Sequence, residues 1–223
     1  MSVKSPTSTG TQLPAWVDDL ILSEALNSAR LLLSRGYLHE VNNALAGIGT
    51  LAEALKGSTS EGVESSLELI SAAANKSTLL ERRVRSLYAT GEFPSGLLLN
   101  EFLPQQRDIM ELMLPRRQKF SIELADASAV VSLPASTLWS FISLSLYWAS
   151  VKASEGLTVR LIRAQEGVAL AFELQGACDE SEASQTLCGR IESALELLAA
   201  RHDIGFINSR GALLLALGKH LIK

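Results

Sequence analysis

The chain has 223 residues, a formal net charge of −4 at pH 7 and an apolar fraction of 47%, enough to build one large domain or two small ones around a real core. The acidic balance excludes nucleic acid as the main partner, because neutralising phosphates takes a basic patch. Cys178 and Cys188 are too few for a disulfide framework and too far apart for a CxxC motif, and His39, His202 and His220 give a metal site little material.

Residues 1–13, rich in Ser, Thr and Gly, are expected to form a flexible tail. Pro14 opens a helical pattern that continues to about Lys56. Heptad spacing places Leu31, Leu38, Leu45 and Ala52 in one column and Val41, Ile48 and Leu55 in another, a seam suited to a bundle or coiled coil. Gly36, Gly47 and Gly49 each cost this helix about 1 kcal/mol relative to alanine. Gly47-x-Gly49 is not a phosphate loop, since no strand precedes it. A turn over Lys56 to Gly62 leads to a second amphipathic helix from Val63 to about Tyr88, with Leu67, Ile70, Ala74, Ser77, Val84 and Leu87 near one face. Residues 14–90 therefore read as an antiparallel hairpin. A hairpin leaves a broad apolar stripe uncovered, so two copies are expected to form a dimeric four-helix bundle.

Gly91 to Gly96 reads as a linker, and over 97–223 the periodicity changes. Asn100 is expected to cap a helix from Glu101 to about Arg116, followed by short strands over Lys119–Leu124 and Val130–Leu133. A helix from about Ser136 to Ala153 precedes strands Leu157–Ala164 and Val168–Leu174, turning at Gln165-Glu166-Gly167. A helix from Glu182 to Arg201 and a hairpin of Ile204–Asn208 with Ala212–Leu217 complete the chain. Helices with mostly antiparallel strands make the expected class α+β, a hairpin followed by an α/β sandwich. The longest apolar run, Leu138 to Val151, is interrupted by Ser140, Ser143 and Ser145 and is too short to span a bilayer. With no apolar segment after the first lysine, a cytoplasmic protein without a membrane partner is expected. Arg82, Arg83, Arg85, Arg116 and Arg117 read as solvated positions that could also meet an acidic partner.

The chemistry concentrates in Leu38-His39-Glu40-Val41-Asn42-Asn43-Ala44-Leu45-Ala46-Gly47-Ile48. A rotation of about 100° per residue carries His39 out of the seam toward water, and Asn43, four residues on, shares its face. A His-Glu-x-x-His zinc motif would need a second imidazole where Asn43 stands. The stretch resembles the phospho-acceptor box of sensor histidine kinases, His-Glu-x-x-Asn-Pro-Leu, over about ten positions. Ala44 replaces the usual proline, which keeps a backbone N–H and straightens the helix without touching the chemistry. The resemblance implies that His39 Nε2 is a nucleophile and phosphoryl carrier. It further implies that Glu40 orients the imidazole and exchanges its Nδ1 proton, and that Asn43 positions a phosphoryl oxygen or a hydrolytic water.

The element order from Leu97 to Lys223 is similar to the ATP-binding domain that follows this box in the kinases. The family's ligands are missing. Ser143 and Tyr147 occupy the two asparagine positions of Leu-x-Asn-Leu-x-x-Asn-Ala, Leu174 stands where an aspartate binds adenine, and a short Asp179–Ser184 loop replaces the glycine-rich lid. The resemblance therefore implies a homodimeric histidine phosphotransferase with a degenerate kinase body. It would relay phosphoryl groups between response-regulator receiver domains with no cofactor or metal of its own, Mg2+ coming with the receiver. Alternatives are a non-catalytic regulator-binding module, a response-regulator phosphatase acting through Asn43, and a divergent ATP-dependent autokinase.

Overall fold

The computed structural model describes residues 15–55, 60–87, 96–124, 129–164, 167–176, 179–209 and 211–218. Two long helices, α1 (Ala15–Leu55) and α2 (Ser60–Leu87), precede a mixed α/β unit. That unit contains β1 (Leu97–Leu98), α3 (Leu99–Gln105), α4 (Arg107–Leu112), β2 (Lys119–Glu123), β3 (Val130–Val131), α5 (Ala135–Lys152), β4 (Gly156–Ala164), β5 (Gly167–Gln175), α6 (Glu182–Arg201), β6 (Gly205–Ser209) and β7 (Ala212–Ala216). The class is α+β, as expected. The tail, the 56–59 part of the first turn, most of the linker, and Gln165 and Glu166 lie outside the described residues.

The main sheet has the order β2-β4-β5-β7-β6, antiparallel except for the parallel β2–β4 pair. Register aligns Phe120 with Leu157, Leu157 with Leu174, Val159 with Phe172, and Phe172 with Leu213, so one face is continuously apolar. Helices α5 and α6 cover the body, with Trp139, Phe141 and Trp148 fully buried. The opposite face carries a polar ladder: Ser121 and Thr158 hydroxyls lie 2.9 Å apart, and the Gln175 amide donates to Thr158 at 2.6 Å. The central strands are buried on both faces, Val168 to Phe172 of β5 continuously, whereas β7 alternates between buried and half-buried positions.

The expected helix from Glu101 to Arg116 is two helices, broken at Gln106 just after Pro104. Proline gives no N–H and crowds the preceding turn, so a continuous helix is not sustained there. Asn100 is not the expected cap: it sits inside α3, and its side-chain oxygen accepts from the Ala129 N–H at 3.2 Å. That bond ties α3 to the β1–β3 pair, in which Leu97 and Leu98 oppose Val131 and Val130. The second helix starts at Ser60 rather than Val63.

The first helix works in two halves. In its N-terminal half Leu22, Ala25, Ala29 and Leu33 are buried and join the same core as α5 and α6. Beyond it, the half-buried positions are Tyr37, Val41, Ala44, Ile48, Leu51 and Leu55, alternating at spacings of three and four. They meet the corresponding series on α2, Val63, Ser66, Ile70, Ala73, Ser77, Leu80, Val84 and Leu87. The expected seam is thereby corrected. Val41, Ile48 and Leu55 are in it, whereas Leu31, Leu38 and Leu45 are 66%, 57% and 59% exposed, and Leu67 and Ala74 on α2 also face out.

Gly36 sits where α1 crosses the end of α4. A Cβ there would lie 2.1 Å from the Leu112 carbonyl oxygen, whereas Gly47 and Gly49 have open space around theirs. Gly36→Ala is therefore expected to lower stability by about 1–3 kcal/mol through overpacking, and Gly47→Ala to raise it by about 1 kcal/mol through helix propensity. Denaturant unfolding of the two variants checks the opposite signs.

Candidate functional site

His39, Glu40 and Asn43 lie midway along α1, just past its crossing with α4. With Tyr37 taken as the centre of the seam, successive steps of about 100° put His39 on the side away from α2 and Asn43 beside it. Both are exposed, and Glu40 is half-buried at the seam's edge. The exposed leucines Leu31, Leu38 and Leu45 fall on the other flank of the same helix.

The recorded partner of Glu40 is Lys76 on α2, whose Nζ donates to Oε1 at 2.8 Å. Lys76 was not legible from local spacing, since nothing distinguishes it from other polar positions of α2. The hairpin register could have found it: residues 40 and 76 are each eighteen positions from residue 58, in the turn. The pair borders a cleft of about 340 Å³ lined by Leu79, Leu80, Arg83, Asp108, Glu111 and Leu112. Arg83 pairs with Asp108 at 3.3 Å and Arg107 with Glu111 at 2.9 Å, joining α2 to α4 and bracing α4 itself. Sequence reasoning left Arg83 as a solvated position, but its charge is spent on Asp108. Arg85 pairs with Glu81 on its own helix.

Glu40 is held below the ordinary carboxylate range, first by the hydrogen bond from Lys76, opposed by burial, and then by the charges of Lys76, Arg116 and His39. Lys76 is raised, chiefly by the hydrogen bond to Glu40 and its charge, with burial opposing and Asp108 adding a little. Among the described residues no hydrogen bond joins Glu40 to His39, and the His39 and Asn43 side chains have no hydrogen-bond partner. The site therefore holds an accessible imidazole, an adjacent carboxylate engaged elsewhere, and a free amide one turn away.

Ser143, Tyr147, Leu174 and Asp179 lie in the α/β unit. Ser143 is buried and donates to the Ser140 carbonyl at 3.0 Å. Leu174 pairs with Leu157 across β4 and β5. Tyr147 lines a separate cavity of about 320 Å³ between α1, α5 and α6, with Ile21, Ala25, Leu187 and Arg190. Asp179 accepts from the Ser181 N–H and the Ser184 hydroxyl, serving the start of α6. Among the described residues no His/Cys/Asp/Glu cluster is suited to hold a metal ion.

Because the folded-state pKa of Glu40 is lowered, the stability contributed by its pairing is full above the unfolded value of 4.5 and is lost as pH falls through the folded value. The raised Lys76 gives the opposite limit, with its contribution lost as pH rises past its own titration. A double-mutant cycle of Glu40→Gln and Lys76→Met is expected to show a coupling of about 0.2–1 kcal/mol at neutral pH, at the low end because Lys76 is exposed. The coupling should vanish in acid. Thermal unfolding of the four proteins across pH measures it.

No protein-family model matches the chain, and no curated protein matches it. Solved structures are similar at low identity. A bacterial phosphotransferase is 14% identical, with 84% of this chain and 94% of that one covered and a TM-score of 0.47. A histidine kinase from Burkholderia phymatum is 10% identical over 80% of this chain and 94% of that one, with a TM-score of 0.40. A blue-light-activated histidine kinase from Erythrobacter litoralis is 13% identical over 79% of this chain and 62% of that one, with a TM-score of 0.42. All three TM-scores lie below 0.5, and the chemistry is read from this chain's own residues.

Proposed function

We propose that the protein is a homodimeric, cytoplasmic histidine phosphotransferase that relays phosphoryl groups between response-regulator receiver domains. The observation that carries this reading is His39: an exposed imidazole at the centre of the hairpin, with Glu40 and Asn43 beside it, on the flank away from the open leucines. His39 Nε2 attacks the phosphorus of a receiver's aspartyl phosphate. The P–N bond forms as the P–O bond breaks, and the aspartate leaves as a carboxylate. Glu40 accepts the Nδ1 proton or a hydrogen bond from it, and Asn43 contacts a phosphoryl oxygen. Mg2+ comes with the receiver.

MgATP does not fit the body. Holding it takes an adenine acceptor, a magnesium ligand and free phosphate donors, and Leu174, Ser143 and Asp179 are instead committed to strand packing, a helix carbonyl and the start of α6. These commitments support a phosphotransferase over an autokinase. No described helix is long and apolar enough to cross a membrane. The free Asn43 amide keeps receiver dephosphorylation as a second reading, in which label on His39 does not accumulate.

Incubation with a phosphorylated receiver domain is expected to place acid-labile, base-stable label on the wild-type chain and none on His39→Ala. Label surviving that substitution would remove His39 from the mechanism. Receiver dephosphorylation that persists in His39→Ala and is lost in Asn43→Ala would favour the phosphatase reading.

The dimer is proposed to form over the α1 stripe of Trp16, Leu20, Leu31, Leu38 and Leu45, all exposed in the single chain. Each leucine left in water forgoes about 1.5–3 kcal/mol. Since Leu38 and Leu45 are not needed inside the protomer, Leu38→Asp and Leu45→Asp are expected to give folded monomers in light scattering, whereas Ile48→Asp strikes the hairpin seam and unfolds. A monomeric wild type, or dimeric aspartate variants, would refute the assignment.

A further inference from the structure

We propose that Lys76 restrains the chemistry at His39: it holds the Glu40 carboxylate across the cleft toward α2, and an acidic partner surface that draws Lys76 away releases Glu40 to the imidazole. The inference rests on the phosphotransfer reading and adds a means of control to it. Glu40 and His39 are adjacent in sequence but about 100° apart around the helix, so a carboxylate reaching for α2 turns away from the imidazole. Its Oε1 lies 2.8 Å from Lys76 Nζ.

Among the described residues, the charged groups that line the cleft or act on the pair come from four segments. From α2 come Lys76 and Arg83, from α4 Asp108 and Glu111, from the segment after α4 Arg116, and from α1 His39. Asp108 engages Arg83 and Glu111 engages Arg107, and the charges acting on Glu40 are those of Lys76, Arg116 and His39. Lys76 makes the contact, and its side chain is 72% exposed against 32% for Glu40. An exposed pair of this kind is weak. A partner that presents carboxylates beside His39 therefore competes for the lysine and leaves the glutamate behind.

Released, Glu40 accepts a hydrogen bond from Nδ1–H and strengthens Nε2 as a nucleophile. In the transfer, Nε2 bonds to phosphorus, the bond from phosphorus to the leaving group breaks with its electron pair going to that group, and the Nδ1 proton is shared with or passed to Glu40. Docking of an acidic partner and activation of the imidazole become one event.

Phosphoramidate, which carries no carboxylate and releases ammonia, loads histidine without a receiver and tests the restraint. At pH 8 Lys76→Met is expected to load His39 about two- to fivefold faster than wild type, the most that a weak, exposed pair can withhold. Lys76→Arg should keep the slow rate, and the gain should disappear in the Glu40→Gln/Lys76→Met double variant. Loading of Lys76→Met at or below the wild-type rate overturns the restraint.

Carbethoxylation of His39 by diethyl pyrocarbonate, located by peptide mass spectrometry, separates the two readings. Faster modification in Lys76→Met, with no label transferred from any receiver, upholds the restraint and removes the phosphotransferase. Receiver transfer through His39 with both rates unchanged by Lys76→Met removes the restraint alone.

Discussion

The arrangement of the molecule depends on one packing contact, that of the first half of α1 against α5 and α6. Leu22, Ala25, Ala29 and Leu33 supply it, and the two alanines present little bulk at the contact. Ion pairs from α6, Arg190 to Glu24 and Arg201 to Asp19, flank the contact. A helix of 41 residues, about 60 Å long, is thereby anchored at one end, and its other end carries the hairpin. The crossing at Gly36 follows, because the anchored helix must pass the carbonyl of Leu112 with no room for a side chain.

That crossing builds the site. Fixing α1 over the end of α4 brings Asp108 and Glu111 up to α2, closes the third side of the cleft beside Glu40, and gives Arg83 a partner in another unit of the chain. The electrostatics are those of a balanced surface network rather than a buried one. Each pair there is exposed, so each contributes little stability and yields easily to competing charge. A deep, strongly paired carboxylate would be costly to redirect, and the Glu40 pairing with exposed Lys76 is not of that kind.

In the α/β unit the side chains of Ser143, Leu174 and Asp179 are absorbed into packing and local hydrogen bonds. Ser143 faces its own helix, Leu174 extends the apolar face of the sheet, and Asp179 holds the first turn of α6. The sheet's far side is stabilised separately by the Ser121–Thr158–Gln175 hydrogen bonds and by Arg160 placed between Glu123 and Glu173. The unit contributes to the His39 site through position, by anchoring α1 and presenting α4. Fold and chemistry are separable in this sense.

Periodicity in the sequence was sufficient for the long helices, the helix over 182–201, the succession along the chain of all strands but β1, and the outward placement of His39 and Asn43, because each depends on local spacing alone. The same spacing could not decide which apolar face of α1 is covered. Leu38 and Val41 are equally hydrophobic neighbours of the motif, yet one is open and the other faces α2. Burial depends on what another segment brings to that face. Asn100 reads as a cap until Ala129 arrives to use its oxygen, and Lys76, which stays exposed, gains its partner only when the hairpin brings it to Glu40. The parallel pairing of β2 with β4 likewise needs α5 as a crossover between them. The sequence determined the local conformations and the chemical groups; tertiary structure alone decided which groups meet, because those contacts join residues tens of positions apart.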